Sequence, residues 1–211
     1  MNNCYLDAEA VITFFRMTGR KHIFITGSRG SGKSHLVNNM LKHMSDSFNL
    51  LQSHRTDTPQ VVIKSNLVAD NKEFVIGVPR TSGINPASKG NNMTIIEDGF
   101  INCAIPAIDT HLDTTPERLF VIDELGYLES SCIPFQKAVE KLLDNSHVLA
   151  VIRKQSTEFL NRICNRKDVL VIDIDNTFET LSCIIMASGM SKRFGSNKLI
   201  TDFNLSLIHI S

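Results

Sequence analysis

The chain has 211 residues, of which 42% are hydrophobic and 21% are charged, as expected for one globular domain with part of another. Basic and acidic residues balance at 22 each, and this absence of net charge argues against general binding to nucleic acid. The five cysteines are far apart and form no CxxC pair, which argues against a zinc ribbon or a disulfide framework and favours free thiols in a reducing compartment.

The N-terminal segment and the apolar runs argue against a membrane protein. Residues 1–20 include Asp7 and Glu9 and lack the basic and apolar regions of a secretory signal. The longest apolar runs, such as Val148 to Ile152, have the length of a strand and are too short to span a bilayer. We therefore expect a cytoplasmic protein with no membrane partner.

Short apolar runs alternate along the chain with amphipathic stretches, a pattern typical of a sheet with crossover helices. The runs are continuous rather than alternating, which indicates strands that are covered on both faces. We predict strands at His22 to Thr26, Val61 to Ile63, Phe74 to Ile76, Leu119 to Ile122, Val148 to Ile152 and Val169 to Ile174. Helical faces are predicted at Leu36 to Met44, Ala138 to Leu143 and Phe159 to Ile163, with a long loop at Pro79 to Asn92. The predicted fold class is α/β, a mostly parallel sheet with helices on both faces.

The first predicted strand runs directly into a glycine-rich segment, residues 27–34, that matches the pattern GxxxxGK[ST] in full. Gly27, Gly30 and Gly32 allow a tight turn that brings backbone N–H groups close to phosphate oxygens. The helix predicted to begin near Lys33 directs the positive end of its dipole at the same anion. The segment therefore predicts a P-loop that binds a nucleoside triphosphate, and a sheet of the P-loop NTPase type.

The side chains of this segment supply the other contacts to the nucleotide. Lys33 offers a mobile cation to the β and γ phosphates and is predicted to be catalytic, and the Ser34 hydroxyl is predicted to ligate Mg²⁺. We expect Arg29 to be a solvated loop arginine and His35 to be a packing or surface residue rather than a catalyst. The predicted nucleotide-binding residues are Gly27, Ser28, Arg29, Gly30, Ser31, Gly32, Lys33, Ser34 and His35.

Two adjacent carboxylates, Asp123 and Glu124, follow the apolar run Leu119 to Ile122. A buried strand does not end in paired carboxylates without cost unless a cation or hydrogen bonds compensate them. We predict that Asp123 holds Mg²⁺ and that Glu124 polarises the attacking water as a general base. The two motifs are about 90 residues apart, which leaves room for an extra strand and a lid, and by fold-level analogy sheets of this kind hydrolyse their nucleotide.

The run DELGYLE, from Asp123 to Glu129, resembles the D-E-[IL]-G-x-[ML]-E signature of the small nucleoside-triphosphatase family of P-loop proteins. Phe135 resembles that family's aromatic residue in the next helix, and the strand before Arg153 is similar too. The resemblance covers about residues 20–175. It implies hydrolysis of an NTP (ATP, GTP or CTP) to the NDP and phosphate with Mg²⁺ as cofactor, and it marks Glu129 as a signature residue without an assigned role.

A second glycine-bearing loop follows a break in composition near residues 175–180. The run Ile184 to Leu199 resembles the opening of MobA-like nucleotidyltransferases of the molybdenum cofactor cytidylyltransferase type. The resemblance implies a loop around a triphosphate, with Arg193 and Lys198 as the countercharge. Too few residues follow for a transferase core, so we predict a vestigial nucleotide loop that does not transfer nucleotides by itself. Its residues are Gly189, Ser191, Arg193, Gly195 and Lys198.

These observations predict two domains, a P-loop nucleoside-triphosphatase at residues 1–178 and an incomplete nucleotidyltransferase segment at residues 179–211. The second resemblance suggests a partner in the form of a transferase or a molybdoenzyme maturation protein. Two other functions stay open. A nucleotide or small-molecule kinase would need an acceptor pocket and an arginine-rich lid, for which only Arg153, Arg162 and Arg166 are grouped, and a non-catalytic NTP-dependent switch would act through a partner. The carboxylate pair suits water better, so hydrolysis is the predicted reaction.

Overall fold

The computed structural model describes residues 6–44, 47–68, 70, 72–80 and 93–176. The predicted boundary after residue 178 and the vestigial loop of Gly189, Ser191, Arg193, Gly195 and Lys198 lie outside the described residues, as does most of the loop predicted at Pro79 to Asn92.

Strands and helices follow one another along the described part of the chain. The first half contains α1 (Ala8–Thr18), β1 (His22–Gly27), α2 (Lys33–Met44), β2 (Phe48–Arg55), β3 (Val61–Ser65), β4 (Phe74–Pro79) and β5 (Met93–Ile95). A continuous helical stretch then combines α3 (Glu97–Gly99), a π-helical turn (Phe100–Ala104) and α4 (Ile105–Thr114). The second half contains β6 (Leu119–Leu125), a 3₁₀ turn (Glu129–Ser131), α5 (Ile133–Asn145), β7 (His147–Arg153), α6 (Glu158–Cys164) and β8 (Val169–Asp173).

The eight strands form one sheet in the order β5-β4-β3-β2-β6-β7-β1-β8. Pairing is parallel from β2 through β6, β7 and β1 to β8, and antiparallel among β2, β3, β4 and β5. The predicted α/β class and the mostly parallel sheet are therefore confirmed, with an antiparallel extension at one edge. The strand β7 lies between β1, which leads into the P-loop, and β6, which ends in the acids. The carboxyl ends of these parallel strands meet at one edge of the sheet, where ligands bind in open α/β sheets.

The two faces of the sheet each bury a separate hydrophobic core, because neighbouring side chains on a strand point to opposite faces. On β1, Ile23 and Ile25 pack toward α1 and α2, whereas Phe24 packs on the opposite face with α4, α5 and α6. On β6, Val121 faces the first core and Phe120 the second. This two-sided burial explains why the strands read as continuous apolar runs.

The first helix is fixed at both ends by its sequence. Asp7 caps the N-terminus of α1 by accepting a 3.2 Å hydrogen bond from the N–H of Ala10, and Gly19 ends the helix in a left-handed conformation with φ of 64°. Between the caps, Val11 and Ile12 are buried against the first core. Within the described part of the chain, no helix combines the length and the apolar character needed to cross a bilayer.

Candidate active site

The P-loop connects β1 directly to α2, and its glycines carry the backbone that the turn needs. Gly30 and Gly32 have φ angles of 77° and 94°, conformations that side chains with a Cβ rarely adopt. Gly27 is buried, and a Cβ there would lie 2.6 Å from Ile174 Cγ1 and 2.8 Å from Ser31 Oγ. The loop conformation therefore favours glycine at all three positions. Because these residues have no side chains, the backbone there is accessible to a ligand.

Lys33, the first residue of α2, folds its side chain back over the loop. Its Nζ donates to the carbonyl oxygens of Gly27 at 2.8 Å and Ser28 at 2.7 Å. Ser31 Oγ donates to the same Ser28 carbonyl at 2.7 Å. The ammonium group thus lies within the turn that the sequence predicts to hold phosphate, and the loop is shaped around a positive charge.

The other predicted nucleotide-binding side chains lie on the open side of the loop. Ser28, Arg29, Ser34 and His35 are all exposed, and Ser34 and His35 are on the first turn of α2. His35 Nε2 is 3.1 Å from Asn39 Nδ2, one helical turn further on. Of the two expectations for His35, a packing or a surface position, the structure shows the surface one.

Asp175, just beyond β8, holds the front of the P-loop in place. Its carboxylate accepts hydrogen bonds from the Ser28 N–H at 2.7 Å and the Ser28 hydroxyl at 3.0 Å, and Lys154 Nζ lies 3.1 Å away. Burial acts to raise the pKa of Asp175, but the hydrogen bonds from Lys154 and Ser28 lower it overall. Sequence reasoning missed this support because no motif connects a loop aspartate to a P-loop almost 150 residues earlier.

Asp123 lies at the carboxyl end of β6, near the P-loop lysine. In the sheet register it is paired with Gln52 on β2 and with Val151 on β7. Burial and the neighbouring charge of Glu124 raise the pKa of Asp123, while a hydrogen bond from Gln52 and the charge of Lys33 lower it. Asp123 therefore lies within range of the Lys33 charge, and Gln52 is an additional polar residue that the sequence did not single out.

Glu124 is held by an arginine from the adjacent strand. Arg153 Nε donates to Glu124 Oε1, and the Glu124 side chain is 23% exposed. Arg153 is the last residue of β7 and is paired in register with Gly27, the first residue of the P-loop. The sequence drew attention to Arg153 through the family resemblance and as one of three grouped arginines, but the ion pair with Glu124 is a new element of the site.

Glu129, the signature residue without an assigned role, is buried in the turn that follows the two acids of β6. It is only 5% exposed, and its Oε2 accepts a 2.8 Å hydrogen bond from the N–H of Gly126. Burial is the main cause that raises the pKa of Glu129 to about 7, and the backbone hydrogen bonds and the charge of Arg153 oppose it only in part. Glu129 therefore stabilises the turn that follows β6 through its hydrogen bond with the Gly126 backbone.

The residues at this edge fit a magnesium ion bound together with a nucleotide. Mg²⁺ prefers oxygen ligands, and proteins supply it with one or two side chains while phosphate and water complete the shell. Ser34 Oγ and the Asp123 carboxylate are donors of this kind. Within residues 6–176, gaps excepted, no cluster of three or more His, Cys, Asp or Glu side chains forms a self-contained metal site. Ser34 and Asp123 therefore suit a magnesium ion whose remaining ligands come from the nucleotide phosphates and water.

An open cavity of about 360 Å³ lies near the carboxyl ends of β1, β7 and β8, and α6 forms part of its wall. It begins at Thr26, the residue before the P-loop, and Arg153 is part of its wall. Apolar side chains of Ile152, Leu160 and Val171 line it together with polar side chains of Gln155, Ser156 and Asn161. The cavity therefore lies next to the P-loop and offers both apolar and polar contacts to a bound molecule.

The parallel sheet with β7 between the P-loop strand and the acid strand, the glycine turn and the lysine at the start of α2 define a P-loop NTPase fold. A family model described as NTPase matches residues 22–182, so the chain belongs to that family and is an enzyme of the nucleoside-triphosphatase class. The predicted family resemblance over residues 20–175 is thereby confirmed, whereas nothing beyond the sequence supports the MobA-like resemblance.

Individual relatives agree with this assignment. The nucleoside-triphosphatase THEP1 of Thermotoga sp. (strain RQ2) is 26% identical over 155 residues, which cover 72% of this chain and 86% of that protein. The nucleoside-triphosphatase THEP1 of Thermotoga maritima is 23% identical over 154 residues, with the same shares of each chain.

Solved structures show the same fold. The crystal structure of THEP1 from the hyperthermophile Aquifex aeolicus superposes with a TM-score of 0.58 at 18% identity and covers 72% of this chain and 89% of that chain. The solution structure of a human cancer-related nucleoside triphosphatase gives a TM-score of 0.54 at 20% identity, with 72% and 88% covered. At these identities the likeness shows the fold alone.

Proposed function

We propose that this protein hydrolyses nucleoside triphosphates to the diphosphate and phosphate in a magnesium-dependent reaction. The observation that carries the proposal is the meeting of the P-loop lysine and two adjacent acids at one edge of the sheet, with one strand between them. A loop alone would support binding, whereas a carboxylate beside the γ-phosphate position supports chemistry on that phosphate.

Binding of the triphosphate begins with the loop. The N–H groups of the glycine turn and the first turn of α2 point at the phosphate chain and carry the positive end of the helix dipole. Lys33 leaves the carbonyls of Gly27 and Ser28 and neutralises charge on the β and γ phosphates. Ser34 and Asp123 would hold a magnesium ion, which would withdraw charge from the phosphate oxygens when bound.

Hydrolysis then requires a positioned water and a base. The Glu124 carboxylate accepts a proton from the water as the water oxygen attacks the γ-phosphorus, and the bond from that phosphorus to the bridging β–γ oxygen breaks. The products are the nucleoside diphosphate and inorganic phosphate. The turn closed by Glu129 fixes the position of Glu124 relative to Asp123.

The cavity beside Thr26 is the space that we assign to the nucleoside. Its mixed lining offers amide and hydroxyl groups on flexible side chains and no charged acceptor aimed at one base edge. This supports loose selection among ATP, GTP and CTP, as the family resemblance implies. The link to molybdenum cofactor metabolism rests on the sequence resemblance of residues 184–199 and stays a prediction.

The experiment that tests this function measures phosphate release from ATP, GTP and CTP, each with magnesium and with excess chelator. Parallel reactions contain candidate nucleotide acceptors, and the fate of the γ-phosphate is followed by labelling. We expect free phosphate in the presence of magnesium with every NTP. Labelled acceptor in place of free phosphate would establish the kinase instead, and nucleotide binding without turnover would establish the switch.

A further inference from the structure

Arg153 is the residue that the reaction described above leaves without a role, and its position is central. It ends β7, between the P-loop strand and the acid strand, and its backbone is paired in register with that of Gly27. Its side chain crosses Gly126, where a Cβ would lie 2.8 Å from Arg153 Cδ. Glycine at position 126 therefore makes room for an arginine that reaches across the active edge.

Two carboxylates flank the Arg153 guanidinium. Glu124 bonds to its Nε, and the buried Glu129 acts on it through space. Burial acts against the charge of Arg153, but the hydrogen bond to Glu124 and the charges of both glutamates raise the pKa of the guanidinium overall. The side chain is 41% exposed, and among the described residues its two terminal nitrogens donate no hydrogen bond. A fixed positive charge with free donors thus faces the site.

The contact with Glu124 conflicts with the role of Glu124 as a base. The Glu124 oxygen that accepts the hydrogen bond from Arg153 is less accessible to an attacking water, because the guanidinium occupies that side of the carboxylate. The γ-phosphate of a bound triphosphate carries more charge than one carboxylate, and guanidinium groups bind phosphate oxygens through two parallel hydrogen bonds. The two anions therefore compete for one arginine.

We infer that Arg153 binds the γ-phosphate and exchanges partners when a triphosphate enters, so that it leaves Glu124 free to activate water. This inference rests on the proposed hydrolysis. Arg153 then distinguishes a triphosphate from a diphosphate, since only the former offers the third phosphate. Glu124 then accepts a proton from water only when the substrate is in place.

The first test compares affinities for Mg²⁺ with ADP and with a non-hydrolysable ATP analogue, measured by calorimetry on the full chain. In Arg153→Ala the affinity for the ATP analogue should fall about tenfold or more, while the affinity for ADP stays within about twofold. Arg153→Lys, which keeps the charge but not the paired donors, should lie between the two. Arg162→Ala is the matched control, because its side chain is 47% exposed and pairs with Glu140 away from the loop.

The second test uses the competition itself. Glu124→Gln removes the rival anion, so this variant should bind the ATP analogue several-fold more tightly than the wild type and bind ADP equally well. The gain should vanish in the double variant Arg153→Ala, Glu124→Gln, because the arginine that provides it is gone. Equal losses for ADP and the ATP analogue in Arg153→Ala, or unchanged affinities, would overturn the inference. Wild-type protein that releases no phosphate would overturn the proposed hydrolysis instead, so the two failures are distinguishable.

Discussion

Lys33 lies inside the P-loop, and its replacement tests the charge of the loop separately from its shape. Lys33→Ala should abolish detectable phosphate release, because backbone N–H groups alone leave charge on the γ-phosphate uncompensated. Lys42→Ala, near the end of the same helix, is the matched control and should keep wild-type turnover, since Lys42 bonds only to Asn39 among the described residues. Wild-type turnover in Lys33→Ala would refute the assignment of the loop.

The two adjacent acids should separate in their effects. Asp123→Asn should weaken magnesium-dependent nucleotide binding, because this carboxylate is the anionic ligand that we propose for the ion. Glu124→Gln should bind the nucleotide at least as tightly as the wild type and lose turnover by about 10²-fold or more, as expected for the loss of a general base. Titration of magnesium at fixed nucleotide, followed by single-turnover phosphate release, measures both. An equal loss of affinity in the two variants would show that their roles are misassigned.

At this scale the sequence predicts the residues whose chemistry is local. The glycines, Lys33 and Ser34 belong to one short motif, and the acids follow an apolar run, so spacing alone is enough to propose their roles. The contacts of Arg153 with Glu124 and of Asp175 with Ser28 join residues that are distant in the chain. Such pairs depend on the order of strands in the sheet, which a single sequence does not specify.

Among the elements, the turn after β6 has a testable effect on stability through Glu129. Its pKa is raised from 4.5 to about 7 on folding, so the folded state holds a proton that the unfolded chain releases. Stability therefore falls as pH rises through this window, by up to about 3 kcal/mol once the pH exceeds both values. Below the lower value both states are protonated and the effect is absent.

Glu129→Gln removes this titration, so the difference in melting temperature between variant and wild type should shift in favour of the variant from about pH 5 to about pH 8. Comparison of the two proteins at each pH cancels the other groups, including buried His22, whose pKa burial lowers to about 4. Glu158→Gln is the control, because that side chain is 97% exposed. A difference that stays constant across the pH range would mean that Glu129 is ionised throughout in the folded state.

The elements that the sequence missed are those with an interrupted apolar pattern. The strand β2 contains Asn49, Gln52 and Ser53, and it escaped prediction because a polar residue in a strand usually faces solvent. Asn49 is instead buried and bonds to His111 at 2.8 Å. The helix α1 could have been found from its Asp7 cap, its buried face and its terminal Gly19, whereas α4 gave no clear signal because its pattern continues a π-helical turn.

For the whole molecule, the site, the two cores and the family match all lie within residues 22–182, apart from α1. Removal of residues 183–211 should therefore leave phosphate release within about twofold and change the melting temperature little, because the site and the two cores are built from residues outside this segment. Removal from residue 169 onward is the contrasting variant and should unfold the protein, since it deletes β8, which pairs with the P-loop strand. A large loss of activity or stability in the shorter deletion would assign the C-terminal segment to the first domain.

The hydrogen bonds of Lys33 to the loop carbonyls have a practical consequence for handling the protein. A glycine loop already curved around an ammonium group favours any small tetrahedral anion, whether or not a nucleoside is attached. Sulfate and inorganic phosphate in a purification buffer should occupy the loop and raise the apparent Michaelis constant. The product phosphate should do the same late in an assay. The Michaelis constant without this competition should therefore be measured from initial rates in chloride or acetate buffers.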